Sequence, residues 1–344
     1  MGRASAVLAT TILLLASAAR AEEPANPSAT EWLSPGLPHV SVHHDEDARF
    51  WGSAEALYWE VGDDADYAIR NPSAAVIGAG DVEKVELGWE PGVRIGAGMD
   101  LPSGWQFAGR GTWLSADDSD STSDTANGLI NATQIHPFFA SQVGDNDISR
   151  ATGELDLHFY SIELEVGHRF EPREDLDLRL FGGPHIAHIE RDASFTYTGF
   201  IDPLDVTAVD QDLTMTGYGL RLGADGAWQG PAGISIFAGV AGSLLYGDFE
   251  WDDTEVEPRT GTVNVDVSED YDEMVPVVQM RAGIGWETHL NRRVGLRVHA
   301  GWEGQVYFGI DGRRFTDDVF RATTVSESND ISFQGLSAGV AVTF

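Results

Sequence analysis

The stretch VRIGAGMDLPSGWQFAGRGTW, residues 93–113, decides how the rest of the chain is read. In its first half Val93, Ile95, Ala97, Met99 and Leu101 share one parity, and Arg94, Gly96, Gly98 and Asp100 share the other. Pro102, Ser103 and Gly104 make a tight turn. The chain then returns with Trp105, Phe107 and Trp113 set against Gln106, Ala108, Arg110 and Thr112. Side chains in a strand point alternately to opposite faces, so apolar residues at every second position describe a strand with one greasy side. Two such strands around a short turn are a hairpin.

The same alternation recurs along the chain, in YSIELEV (160–166) and LDLRL (176–180), then YGLRLGADGAW (218–228) and ISIFAGVAGSLLYG (234–247). It returns in VVQMRAGIGWE (277–287) and VGLRVHAGWEG (294–304), and the chain closes on LSAGVAVTF (336–344). With FWGSAEALYWEV (50–61) as the first, ten strands are expected, near the 9–11 residues that cross a bilayer at a tilt. Short turns fall near 102–104, 171–175, 229–233 and 289–293. Longer acidic tracts fall near 62–82, 115–152, 190–212, 250–273 and 309–329, and they read as loops. An even strand count with short turns at one end and long loops at the other is the plan of a transmembrane antiparallel up-and-down β-barrel. The plan puts both barrel ends on the periplasmic side and the acidic loops outside. A hairpin within 115–152 would raise the count to twelve.

An exported soluble β-sandwich would also alternate, but it has no reason to sort its connections by length. Nor would it place aromatic residues at strand ends. Here Trp105, Trp228 and Trp286 lie beside short turns, and Tyr58, Trp113, Tyr246 and Trp302 lie near the long tracts, all on the apolar parity. That suits two interfacial aromatic girdles. In a closed barrel the last strand pairs on both sides, so Phe344 ends a strand that is no edge.

Residues 1–21, MGRASAVLATTILLLASAARA, carry Arg3, an apolar core too short to span a bilayer and small residues at Ala19 and Ala21. They read as a cleaved signal peptide. Residues 22–49 are rich in Pro and charge without periodicity and read as a flexible periplasmic lead-in; the barrel is expected over 50–344. The chain has no cysteine and a net charge of −34. Losing two basic residues with the signal peptide takes the charge to −36, an excess that excludes wrapping nucleic acid.

FWGSAEALYWEV, GVRIGAGMDLPSGWQFAGRGTWL, LRLFGGPHIAHIERDASFTY, GSLLYGDF and ISFQGLSAGVAVTF, in that order, resemble the Legionella-type major outer membrane protein family of pore-forming barrels, with similar barrels in planctomycetes. The resemblance runs over roughly 50–344. It implies a Gram-negative-type cell outer membrane, a porin-like role and no catalytic residues to carry over. The C-terminal aromatic strand, ending at Phe344, also resembles the signal read by the barrel-assembly machinery.

With the apolar parity against lipid, the other parity collects Glu55, Arg94, Arg110, Glu163, Glu165, Arg179, Arg221, Asp225, Arg281, Arg297 and Glu303, together with Asp100, Asp177, Glu287 and His299. Two expectations compete for these lumen-facing groups. Either they line an aqueous path for small polar solutes or ions, with the acidic loops giving a weak cation preference, or they pair with one another and fill the interior of a structural or adhesive barrel. Barrels of about 8 strands are filled by side chains, while open channels belong to about 16–18.

No enzyme is expected. His185 and His188 in PHIAHIERD (184–192) differ by three positions and face opposite ways in a strand, so they cannot act as a pair. HVSVHHDED (39–47) and Asp145–Asn146–Asp147 hold metal-type ligands without a fixed geometry, and neither metal nor cofactor is expected. The expected partners are outer-membrane lipid, the barrel-assembly machinery, small polar solutes or ions, and further copies of the chain.

Overall fold

The computed structural model describes residues 48–71, 80–123, 129–135, 148–173, 175–199, 205–291, 294–318 and 321–344. The proposed signal peptide, most of the lead-in including 39–47, and residues 145–147 lie outside the described residues. Among the described residues thirteen strands follow one another with one short 3₁₀ turn at Pro231–Gly233. They are β1 (Arg49–Gly62), β2 (Asp64–Asn71), β3 (Asp81–Glu86), β4 (Trp89–Asp100), β5 (Trp105–Ser123), β6 (Leu129–Ala132), β7 (Arg150–Arg173), β8 (Leu176–Thr198), β9 (Val206–Gln229), β10 (Ile234–Glu257), β11 (Thr262–His289), β12 (Gly295–Asp318) and β13 (Arg321–Thr343). Among the described residues no helix is long and apolar enough to cross a membrane.

Ten strands pair antiparallel in the order β1-β13-β12-β11-β10-β9-β8-β7-β5-β4, and β4 pairs back onto β1. The pairing therefore forms a ring, and β1 hydrogen-bonds on both sides. The terminal strand is held between β12 and β1, and the Phe344 amide donates to the Phe50 carbonyl at 2.9 Å. Tight turns join strands at one end. Gly104 takes φ +84° there, and its amide donates to the Leu101 carbonyl at 3.0 Å. The left-handed backbone at this position is cheap only for glycine.

The tracts read as loops at 190–212, 250–273 and 309–329 are mostly strand, and this corrects the sequence-based plan. β8 runs on to Thr198, β10 to Glu257 and β12 to Asp318, so the hairpins extend far past the apolar belt. The reason is an inversion of parity. Low on β7, Leu164 and Ile162 face out and Glu163 and Glu165 face in. Higher up, Asp156 and Glu154 face out while Leu157 and Leu155 are buried inside. Acids at every second position suggested solvated loop, but the positions between them are apolar.

Among the described residues of 115–152 no further strand joins the barrel, and β5 lengthens to Ser123. β6 instead joins β2 and β3 in a separate three-stranded sheet, β3-β2-β6. Tyr67, Ala68, Val85 and Ile130 of that sheet are buried in one apolar cluster with Leu155, Leu157 and Phe195 of the barrel wall. Gly153 on β7 permits the close approach, because a Cβ there would run into Val85 and Tyr67. Polar contacts fix the sheet at its edges. The Tyr67 hydroxyl donates to Asp120 at 3.0 Å, and Arg191 pairs with Asp63 at 2.7 Å. Desolvation and the Asp120 carboxylate push the Tyr67 hydroxyl above the ordinary tyrosine range.

On the outward face, above the apolar belt, Asp117, Asp156, Asp192, Asp212 and Asp252 stand directly opposite one another across five strands. Like charges so placed are destabilising. The Asp212 carboxyl is raised above its ordinary value by partial burial, then by Asp192, Asp210 and Asp252. An aspartate whose folded pKa is raised costs stability at neutral pH, and that cost disappears as pH falls through the folded value. Asp212→Asn should therefore raise the unfolding midpoint at pH 7 and lose its advantage near the ordinary aspartate value of 3.8. Urea unfolding in lipid vesicles at both pH values checks this.

Candidate functional site

Across the middle of the ring the inward parity brings charged groups from eight strands into contact. Arg94 on β4 pairs with Glu55 on β1 at 2.9 Å and with Glu303 on β12 at 2.8 Å, while its Nε donates to Thr112. Glu165 on β7 is the hub: it pairs with Arg110, Arg179 and Arg221. Arg179 also reaches Asp225 at 2.6 Å, and Arg281 reaches the other oxygen of Asp225 at 3.0 Å. Glu163 takes Arg110 at 3.3 Å and Arg221 at 3.5 Å. Gln279 extends the network, accepting from Arg221 at 2.7 Å and donating to Glu163 at 2.8 Å.

Five arginines thus meet five carboxylates, and the layer is formally neutral. Buried ions are tolerable only when paired and hydrogen-bonded, because desolvating each one costs several kcal/mol. Rings complete the packing. Arg179 and Arg221 lie 4.4 and 4.8 Å from the Phe181 ring centre, and Arg94 lies 5.4 Å from that of Trp59. Inward glycines receive these groups: a Cβ at Gly223 would strike Phe181, and one at Gly239 would strike Asp225.

Nearer the tight turns, Arg297 is buried with its guanidinium 5.6 Å from the Phe237 ring centre. Asp177 pairs with Arg169 at 3.3 Å, and His299 lies 3.7 Å from Glu55. Asp100 is buried at the same end, and Glu287 is half-buried on β11.

At the other end the bore fills with an apolar core. Phe159 sits 4.5 Å from Phe333 and 5.7 Å from Tyr307, and Trp59 lies 6.1 Å from Phe333. Phe195, Phe249 and Trp251 join the same cluster. The three-stranded sheet packs onto it. Within the charged layer lies a partly open cavity of about 40 Å³, lined by Arg94, Arg110, Glu163, Arg221, Arg281 and Glu303 with Trp59 and Phe181 beside them.

The charged residues singled out in the sequence lie on the inward parity of the ring, whereas this core and the small sheet were missed. The signal was present in GELDLHFY (153–160), where Leu155, Leu157 and Phe159 alternate with Glu154, Asp156 and His158.

His185 is buried with Nδ1 2.8 Å from the Ser243 hydroxyl, and His188 is half-buried 2.9 Å from the Thr216 hydroxyl; the two project to opposite sides of β8. Among the described residues no three His, Asp or Glu side chains converge to hold a metal ion.

On the outer surface Tyr58, Trp105, Trp113, Trp228, Tyr246, Trp286 and Trp302 are all exposed. Between them lie Leu164, Leu180, Leu220, Leu222, Val240 and Ile284, also exposed. A ring of antiparallel strands with such a belt satisfies its backbone internally and offers hydrocarbon a matching surface. The class is therefore an outer-membrane β-barrel. The profile of the Legionella pneumophila major outer membrane protein precursor matches residues 45–344, and the chain belongs to that family. Its place is the outer membrane.

Among solved structures, the outer membrane protease OmpT from Escherichia coli is similar at 12% identity and TM-score 0.39, covering 89% of this chain and 98% of that one. The P. putida toluene transporter TodX is similar at 10% identity and TM-score 0.31, covering 86% and 89%. A major outer membrane protein from Thermus thermophilus is similar at 13% identity and TM-score 0.29, covering 87% and 100%. Likenesses of this size say nothing about activity. No curated protein matches the chain.

Proposed function

We propose that this protein is a closed, non-conducting barrel that spans the outer membrane and carries a rigid acidic cylinder beyond it. The reading is carried by what fills the bore: a neutral layer of five arginines and five carboxylates, backed by an aromatic core. Passage of small polar solutes with a cation preference needs a continuous aqueous path, and the buried ion pairs and the aromatic core stand across it.

The tight turns and both barrel termini face the periplasm in this reading, and the long hairpins face outward. Strands of 24 residues such as β7 run about 80 Å, while the apolar band of an outer-membrane barrel is about 25 Å tall. Much of each tall hairpin therefore stands outside, with Asp192, Asp212 and Asp252 on its wall available to cationic partners. Phe344, ending the last strand, is read by the barrel-assembly machinery. No catalytic role is assigned.

Vesicle swelling tests the reading. Vesicles containing the folded protein should admit a small sugar no faster than empty ones; swelling as fast as with a general porin would overturn it.

A further inference from the structure

The aromatic residues at the outer edge of the lipid belt are not evenly spread. Tyr58, Trp89 and Trp302 form one connected group: ring centres are 5.3 Å apart for Tyr58–Trp89 and 5.9 Å for Trp89–Trp302. These residues come from β1, β4 and β12. The Trp89 indole lies across the outside of β1 and β13 to reach Trp302, so the platform spans four adjacent strands. Gly335 makes this crossing feasible, since a Cβ there would meet the Trp89 ring and the backbone of β1. All three rings remain well exposed, Trp89 at 38% and the others near half.

Directly above the rings is a polar ledge. Gln334 stands opposite Glu60, and its side-chain amide donates to the Glu60 carboxylate at 3.0 Å. Directly below, Ala300, Ala338 and Ala56 stand side by side on β12, β13 and β1, forming a shallow, smooth strip within the apolar belt. From the lipid core upward, the surface therefore offers small alanines toward the acyl chains, then an aromatic group in which the Trp89 ring stands 33° from Tyr58 and 70° from Trp302 with exposed Leu336 between those two, then paired carboxylate and amide groups.

We infer that this surface holds one outer-leaflet glycolipid, its sugar ring against the exposed Trp89 indole with Tyr58 and Trp302 flanking it, and its hydroxyls meeting Glu60 and Gln334. A sugar ring has an apolar C–H face that suits the face of an exposed indole, and hydroxyls that both donate and accept. Glu60 supplies an acceptor, and the Gln334 amide supplies both kinds of group. Recognition of a lipid phosphate would instead call for arginine or lysine. Among the described residues none projects outward from β12, β13, β1 or β4 at this level. The surface also continues the lipid-facing belt, so an occupant with acyl chains is the one that fits. The inference rests on the proposed orientation, which turns this edge toward the outer leaflet.

Native mass spectrometry of the full-length protein in detergent, with rough lipopolysaccharide or phosphatidylethanolamine added, tests it without depending on sidedness or on conduction. One lipopolysaccharide should be retained, and phosphatidylethanolamine should not. Trp89→Ala with Trp302→Leu should lower retention by about ten-fold or more, whereas Trp113→Leu at another girdle position should leave it unchanged. If the double variant fails to fold, Gln334→Leu, which keeps the rings, should still weaken retention several-fold. Equal retention of the phospholipid, undiminished retention by the variants, or no lipopolysaccharide on the native protein would each overturn the assignment.

Discussion

Glu165→Gln should destabilise the barrel by about 3–5 kcal/mol, the usual cost of leaving buried charge uncompensated. Glu165 accepts from three guanidiniums at once, those of Arg110, Arg179 and Arg221, and it is almost wholly shielded from solvent. Glutamine keeps the shape but removes the charge, so a layer of five against five becomes five against four. In an open, water-filled lumen solvent would screen the excess and the effect would be small. Urea unfolding in lipid vesicles separates the two outcomes. Adding Arg110→Met to Glu165→Gln restores neutrality, and the pair should be more stable than the sum of the single losses predicts. That non-additivity marks groups that share one network.

Phe159→Ala should cost about 3–5 kcal/mol as well, by a different route. The ring is completely buried, against Phe333 and Tyr307, at the centre of the outer core. Truncation removes its buried surface and leaves a void that strands tied into a ring cannot collapse to fill. Asp156→Ala, three residues away on the same strand but facing outward in the row of opposed aspartates, should not destabilise the protein. If the outer half of the bore were wet, the two variants would differ little. The same vesicle unfolding experiment, run on both, reads the contrast.

How much of this was legible depends on where the alternation kept a single meaning. Through the lipid belt it did: Ile162 and Leu164 against Glu163 and Glu165 can only be a strand with lipid on one side. The ring order follows from such strands joined by short turns, and the charged set follows from parity. Pairing within that set was not legible, because which arginine meets which carboxylate depends on cross-barrel distance and register. Arg94 reaches Glu303 from a strand 209 residues earlier in the chain.

Above the belt the alternation reverses its meaning. Solvent replaces lipid outside, so acids move to the outer face, and burial inside then demands Leu157, Phe159 and Phe195. A pattern read for one solvent was applied where another begins, and continuous strands looked like acidic loops. The β3-β2-β6 sheet was hidden for a further reason. Its strands are 4 to 8 residues long, and β3, β4 and β5 all intervene between β2 and β6. Short strands paired non-locally leave little periodic trace.

The central claim is that the bore is filled. Single-channel recording from the purified, folded protein in a planar bilayer tests it most directly. A membrane that stays at the baseline current under both polarities is the predicted result. Stable, reproducible current steps from the native protein would contradict it.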